Sequence, residues 1–220
     1  MLAAVKGLLG HEALYVALQR AVGADRLRYR CLDELGLRDG DTVIDVGCGP
    51  AYYFGRLPRV RYVGFDTSPR YVAHARKRFG RPGAEFRCEI FGAEHLAELP
   101  PANAVLLLGL LHHLPDDASR HLLGVAARAL APGGRVISVD PTFHPGQHPI
   151  SRWMSANDRG AHVREPERFA ALAGESFAEV DGEVIDRLTR VPSSHWLMRM
   201  TAPRPGAELS AAAQAASGSA

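Results

Sequence analysis

The chain predicts an α/β fold, a doubly wound and mostly parallel sheet of seven strands preceded by helices. Three observations carry this. Short apolar runs without helical spacing recur along the sequence, helical patterns stand between them, and glycines follow the first run at Gly47 and Gly49. Glu12 to Leu35 carries apolar residues at Leu14, Leu18, Ala21, Val22, Leu27 and Leu32, broken at Gly23, which predicts two helices. Then the alternation begins. Thr42–Val46 reads as a buried strand, Tyr52–Leu57 as a helix, Tyr62–Phe65 as a strand, Arg70–Phe79 as a helix, and Glu85–Cys88 and Ala104–Leu108 as strands. Helix Ala118–Ala129 stops before Pro132-Gly133-Gly134, a turn signal that leads into strand Arg135–Val139.

The pattern changes between Pro141 and Pro166. Four prolines, three histidines (His144, His148 and His162) and Trp153 leave room for one short helical stretch, so this insert reads as a functional loop or irregular surface. A helix near Glu167–Gly174 and strands Glu183–Leu188 and His195–Thr201 complete the sheet as an antiparallel hairpin edge. The expected organisation is a single domain over 1–203, with helices at 1–40, an insert at 141–166 and a disordered or frayed tail at 204–220 rich in alanine and serine.

Composition narrows the class. At 220 residues, 46% hydrophobic and 23% charged, the chain suits one domain with a substantial core. A formal charge of +2, carried mostly by dispersed arginine, gives no nucleic-acid footprint, and no run approaches the length of a membrane span. Cys31, Cys48 and Cys88 show no C-x-x-C spacing, which argues against a disulfide framework or thiolate zinc site and fits a reducing cytoplasm.

The chemistry concentrates after the first strand. Val43-Ile44-Asp45-Val46-Gly47-Cys48-Gly49-Pro50-Ala51 is a strand followed by a turn whose glycines let backbone approach a ligand, and Asp66 ends the second strand where a carboxylate can grip a ribose diol. Two cofactor classes use that geometry. A dinucleotide site wants a small residue where this chain has Tyr52, whereas Asp45 directly before the glycines suits a cationic amino-acid end. Asp66 could also simply cap the helix after Pro69.

These residues resemble the class I S-adenosylmethionine (SAM)-dependent methyltransferases, of Rossmann-like fold. Their first motif is an acidic residue followed by G-x-G-x-G, matched by Asp45, Gly47 and Gly49 and departing at Ala51. Leu130 to Gly134 is similar to the family's L-x-P-G-G junction, and Leu111 to Asp116 to its L-H-H-L-x-D form. The resemblance implies SAM as cofactor and S-adenosylhomocysteine as product. It places Asp66 on the ribose, Gly47, Cys48 and Gly49 along the methionine end, and Thr67 and Gly109 beside the cofactor. Glu89 is one candidate for the adenine amino group, with Ile90 alternatively supplying backbone and an apolar wall.

Further positions follow from the same resemblance. Tyr15 and Gln19 share a helix face expected to close over the cleft, Tyr15 toward cofactor and Gln19 toward acceptor. His112 or His113 could act as a general base, although the recurrent histidine, His113, is often a packing or hydrogen-bonding element. His144, His148, Trp153 and Arg159 are the acceptor-side candidates, with a surface ion pair as the plain alternative for Asp158-Arg159. His144 and His148 are not spaced for a metal on the non-helical Pro145-Gly146 stretch, and no metal is expected. The N-P-P-Y and D-P-P-Y patterns of nucleobase amine methylation are absent. The expected activity is methyl transfer to O or N of a small molecule, without nucleic-acid or membrane partners. The alternatives are a SAM-binding enzyme of non-methylating chemistry such as cyclisation, an NAD-dependent oxidoreductase, or a non-enzymatic binding protein.

Overall fold

In a computed structural model, residues 24–186 and 190–205 are described. Helix α1 (Ala24–Leu35) precedes β1 (Thr42–Val46), β2 (Arg61–Phe65), α2 (Pro69–Phe79), β3 (Ala84–Arg87) and β4 (Ala102–Leu108). Then come α3 (Asp116–Ala129), β5 (Leu130–Pro141), α4 (Pro149–Ala156), α5 (Pro166–Gly174), β6 (Phe177–Asp186) and β7 (Ser194–Pro203). The seven strands form one sheet in the order β3-β2-β1-β4-β5-β7-β6. β1 to β5 are parallel and β7 runs antiparallel between β5 and β6. The strand order therefore reverses between β1 and β4, the place where open α/β sheets bind ligands.

Each central strand is apolar on both sides because helices cover both faces. Val43 and Tyr62 bury on one face with Leu27 of α1 and Val72 of α2, while Ile44 and Val63 bury on the other with Leu123 of α3 and Phe169 of α5. Burial of such a side chain contributes roughly 1.5–3 kcal/mol. Helix α2 starts where Ser68 Oγ accepts the Tyr71 N–H and Pro69 occupies the first turn.

Several expected boundaries move. The helix expected at Tyr52–Leu57 is a single 3₁₀ turn, Phe54–Arg56. Gly55 has weak helical preference and Pro58 blocks continuation, while Tyr53 and Phe54 turn inward and bury. The third strand starts one residue earlier than expected, and the Pro132-Gly133-Gly134 turn signal appears as an irregularity in an extended β5, with a register shift opposite β4. The strand expected at Glu183–Leu188 instead begins at Phe177 and ends at Asp186. Its acidic residues and Gly182 mask the strand pattern because β6 is an exposed edge. Gly182 is required there, since a Cβ would run into the Trp196 ring and lie 2.5 Å from the Leu197 carbonyl oxygen. The first of the two expected N-terminal helices, with Tyr15 and Gln19, lies outside the described residues, as does the tail from residue 206.

Candidate active site

The carboxyl ends of β1 to β4 bring together Asp45, Gly47, Cys48, Gly49, Asp66, Thr67, Glu89, Ile90 and Gly109. The turn after β1 is left-handed at Gly47 (φ 75°), Gly49 (φ 55°) and also Ala51 (φ 50°). Ala51 thus takes the conformation that a third glycine would supply, at a cost of roughly 1–2 kcal/mol. At Gly49 the space where a side chain would stand is open, and at Gly47 it is limited by Leu110 at 3.2 Å. The Leu110–His113 turn after β4 is therefore packed against the glycine turn.

Asp66 holds this turn together. Its Oδ2 accepts the Gly49 N–H at 2.8 Å and its Oδ1 accepts the Ser68 N–H at 2.8 Å. Ser68, not Asp66, caps α2. Each Asp66 oxygen retains a lone pair, so the carboxylate can accept two further hydroxyl donors.

Asp45 is fully buried, and its Oδ2 accepts the phenol protons of Tyr53 at 2.8 Å and Tyr62 at 2.5 Å. Burial pushes its pKa up to about 6 against the opposing pull of those tyrosines. Its Oδ1 has no hydrogen-bond partner among the described residues. The Cys48 thiol stands next to Gly64 and donates to the Gly49 carbonyl at 3.6 Å, and burial pushes that thiol up. The thiol thus braces the glycine turn from within.

At the next strand end, Ile90 is 67% exposed, a large apolar side chain beside the glycine turn's open rim. Glu89 pairs with His95 Nε2 at 3.3 Å and with Arg87 at 3.8 Å. His95 itself is buried between Phe65 and Phe91. Gly109 is left-handed (φ 74°) and donates its N–H to the Val139 carbonyl.

His112 and His113 differ sharply. His112 is buried, and Asp140 Oδ1 accepts both its backbone N–H at 3.1 Å and its Nδ1–H at 2.7 Å. On the other side of the ring, Nε2 stands 3.3 Å from Asp158 Oδ1. His113 is exposed, with its ring centroid 4.0 Å from that of His112. Nearby, burial and the Arg28 charge hold His195 down to a pKa of about 4.

The insert leaves the sheet at Thr142 and returns at Arg164, where the two residues form a parallel bridge. Arg164 is the staple that sequence reasoning missed. It is buried, and it donates to the Leu111 and Leu114 carbonyls at 2.9 and 2.5 Å and to Asp116 at 2.9 Å. The stretch 158–162 lies directly on His112. Gly160 touches the ring so closely that a Cβ there would overlap it, and His162 donates its N–H to the His112 carbonyl at 3.0 Å.

The acceptor-side candidates do not converge. His144 Nε2 lies 3.3 Å from Asp186 and 3.2 Å from Ser194, in a polar network that also holds Ser151 and Gln147. His148 caps α4, its Nδ1 accepting the Ile150 N–H at 3.1 Å. The two rings therefore serve separate local partners. Trp153 stands 61% exposed on α4 beside Ile150 and Met154, and Arg159 is exposed next to Asp158. Asp158 pairs with His112, not with its neighbour Arg159, among the described residues. Asp140, Arg164 and His195 carried no sequence signal, because their partners lie far along the chain, and Asp158 stood out only as the neighbour of Arg159.

The comparisons with known proteins agree with this geometry. The family described as "Methyltransferase domain" matches residues 43–134, from β1 to the Gly134 junction. This stretch of the chain carries a methyltransferase domain of the SAM-dependent kind. Over 149 residues it is 40% identical to trans-aconitate 2-methyltransferase of Methylobacterium nodulans, covering 63% of this chain and 54% of that one. It is 36% identical to 27-O-demethylrifamycin SV methyltransferase of Amycolatopsis mediterranei, covering 50% of this chain and 42% of that protein. The chain thus spans about half the length of the curated relatives it matches. Among solved structures, the N-methyltransferase NodS of Bradyrhizobium japonicum superposes with a TM-score of 0.61 over 82% of this chain and 97% of that one, at 16% identity. That likeness confirms the fold.

The cofactor of this family is SAM, and the residues fit it. The orphaned buried Oδ1 of Asp45 suits an ammonium group, the open Gly49 backbone leaves room for a methionine chain, and Asp66 has the lone pairs a ribose diol needs. Among the described residues, no helix is long and apolar enough to cross a membrane.

Proposed function

We propose that this protein transfers the methyl group of SAM to an oxygen or nitrogen atom of a small organic molecule. The observation that carries the reading is the joint placement of an open left-handed glycine turn, an Asp66 carboxylate at its rim and a buried His112-Asp140 pair on the adjoining strand ends. SAM, when bound, supplies an electrophilic methyl group on a sulfonium. Everything else is positioning. Asp66 and the Gly49 backbone hold the ribose side, Asp45 takes the ammonium through Oδ1, and Ile90 and Glu89 flank the adenine edge.

Holding two reactants in an aligned geometry can itself supply about 7–11 kcal/mol of a barrier. The chain's residues therefore need to orient, exclude water and accept a proton. The insert serves the acceptor side, with Trp153 on α4 and Arg159 just after it. The names of the sequence relatives, trans-aconitate 2-methyltransferase and 27-O-demethylrifamycin SV methyltransferase, support a small-molecule acceptor.

The test has two stages. Calorimetry should show SAM and S-adenosylhomocysteine binding at the same site and in competition with each other. A screen of hydroxyl- and amine-bearing small molecules with methyl-labelled SAM should then show label transfer. Tighter binding of NADH than of SAM would overturn the reading.

A further inference from the structure

The histidine after β4 is sealed from the cleft by two carboxylates, and the outer of the two lies on the insert. Asp140 Oδ1 accepts the His112 Nδ1–H, which fixes that nitrogen as a donor. Nε2 then faces Asp158 Oδ1, an oxygen that already accepts the Gly160 N–H at 2.7 Å. The 3.3 Å separation is an ion-pair contact rather than a hydrogen bond, and a positive ring between the two carboxylates suits both. Such a ring also answers Asp140, whose Oδ2 is buried without a partner among the described residues.

With Gly160 packed on one side and His162 bonded to its carbonyl, His112 cannot meet an acceptor directly. Asp158 can. Its side chain is 31% exposed, and its Oδ2 has no partner among the described residues.

We propose that Asp158 is the group that takes the proton from the methyl acceptor, held and charge-balanced by the His112-Asp140 pair behind it. This rests on the methyl-transfer reading and sharpens it, because the acceptor must then carry a proton on its nucleophilic atom, as a hydroxyl or an amine does. The step balances. The acceptor oxygen or nitrogen forms the new bond to the methyl carbon, the carbon–sulfur bond breaks with its electron pair remaining on sulfur, and the acceptor proton passes to Asp158 Oδ2 and on to solvent. His112 is a positioning residue in this scheme. The other groups facing it are His113 on the same turn and His195 on β7, with Arg28 of α1 behind His195 and Arg159 beside Asp158.

The test uses the full chain and the isosteric variant Asp158→Asn, in which the amide oxygen still accepts the Gly160 N–H. Nitrogen-15 NMR of histidine-labelled protein without ligand at pH 7.5, with His112 assigned through His112→Gln, should show protons on both ring nitrogens. In Asp158→Asn that oxygen stays between Gly160 and Nε2 while the amino group replaces Oδ2, so the proton acceptor is lost. For the acceptor found in the screen, kcat should fall on the order of 100-fold, as for loss of a general base, while SAM affinity stays within about twofold. An unprotonated Nε2 in the parent protein overturns the proposal, and so does undiminished turnover by Asp158→Asn. Absence of SAM binding in the parent protein marks failure of the methyl-transfer reading instead.

Discussion

The two halves of the sheet's carboxyl edge are built from different materials. Around β1, β2 and β4 the site is mostly backbone, with left-handed turns at Gly47, Gly49 and Gly109 and a carboxylate bonded to a glycine 17 residues away. Around β5 and the insert it is side chain on side chain, with His112 to Asp140 at a separation of 28 residues and Arg164 to Leu111 at 53. A backbone cradle suits a cofactor that does not change with the acceptor. A side-chain network can be rebuilt for a new acceptor without disturbing that cradle.

Breaking the cofactor half should have the largest effect. Asp66→Ala removes the acceptor of two ribose hydroxyls and releases the Gly49 and Ser68 amides, so SAM affinity should fall by roughly 2–4 kcal/mol. Unchanged affinity by calorimetry would refute the ribose assignment. Next comes the junction between the halves. Gly160→Ala forces the insert off His112 and should cut acceptor turnover at least about tenfold, with SAM affinity kept. Equal losses of both would mean that the halves are not separable.

A smaller effect is expected from pH. Asp45 has a folded pKa of about 6, above its unfolded value of roughly 3.9. The native state binds more protons than the unfolded state between these values, so this group's contribution to stability is greatest at low pH and declines as pH rises through that window. Urea denaturation of Asp45→Asn and the parent protein from pH 4 to 7 should show the difference between them shifting in the variant's favour. A difference independent of pH would refute the burial argument. His195 works in the opposite sense. Its folded pKa of about 4 lies below the unfolded value of roughly 6.5, so the parent protein should lose stability relative to His195→Gln as pH falls from 6.5 toward 4. A constant difference over that range would show that the ring is not desolvated.

These contrasts match what could be read from the sequence. The strand–glycine–carboxylate signature is local, so Asp45 to Asp66 and the parallel order of strands were legible, and β1 falls on its expected residues. Ala51 shows the limit of residue-type reading, because a non-glycine holds the left-handed conformation that the motif's third glycine implies. The acceptor half was hidden for a physical reason. Asp140 sits in an apolar strand and Arg164 in a proline-rich loop, and neither announces a partner 28 or 53 residues away. His144 and His148 drew attention by residue type, yet one belongs to a network at the root of the insert and the other caps a helix. β6 was read short because an edge strand lacks the two-sided apolar signal.

That edge has a consequence for the molecule's behaviour in a crowded solution. Among the described residues, β6 closes the sheet with one row of backbone groups unpaired, the geometry that invites a second chain to add a strand. Glu179, Asp181 and Glu183 alternate along it on one face, and the last two pair with Arg199 across on β7. An incoming strand would have to meet those acids, so like-charge repulsion guards the border that hydrogen bonding leaves open. Protection of this border thus resides in residues far from the protein's chemistry.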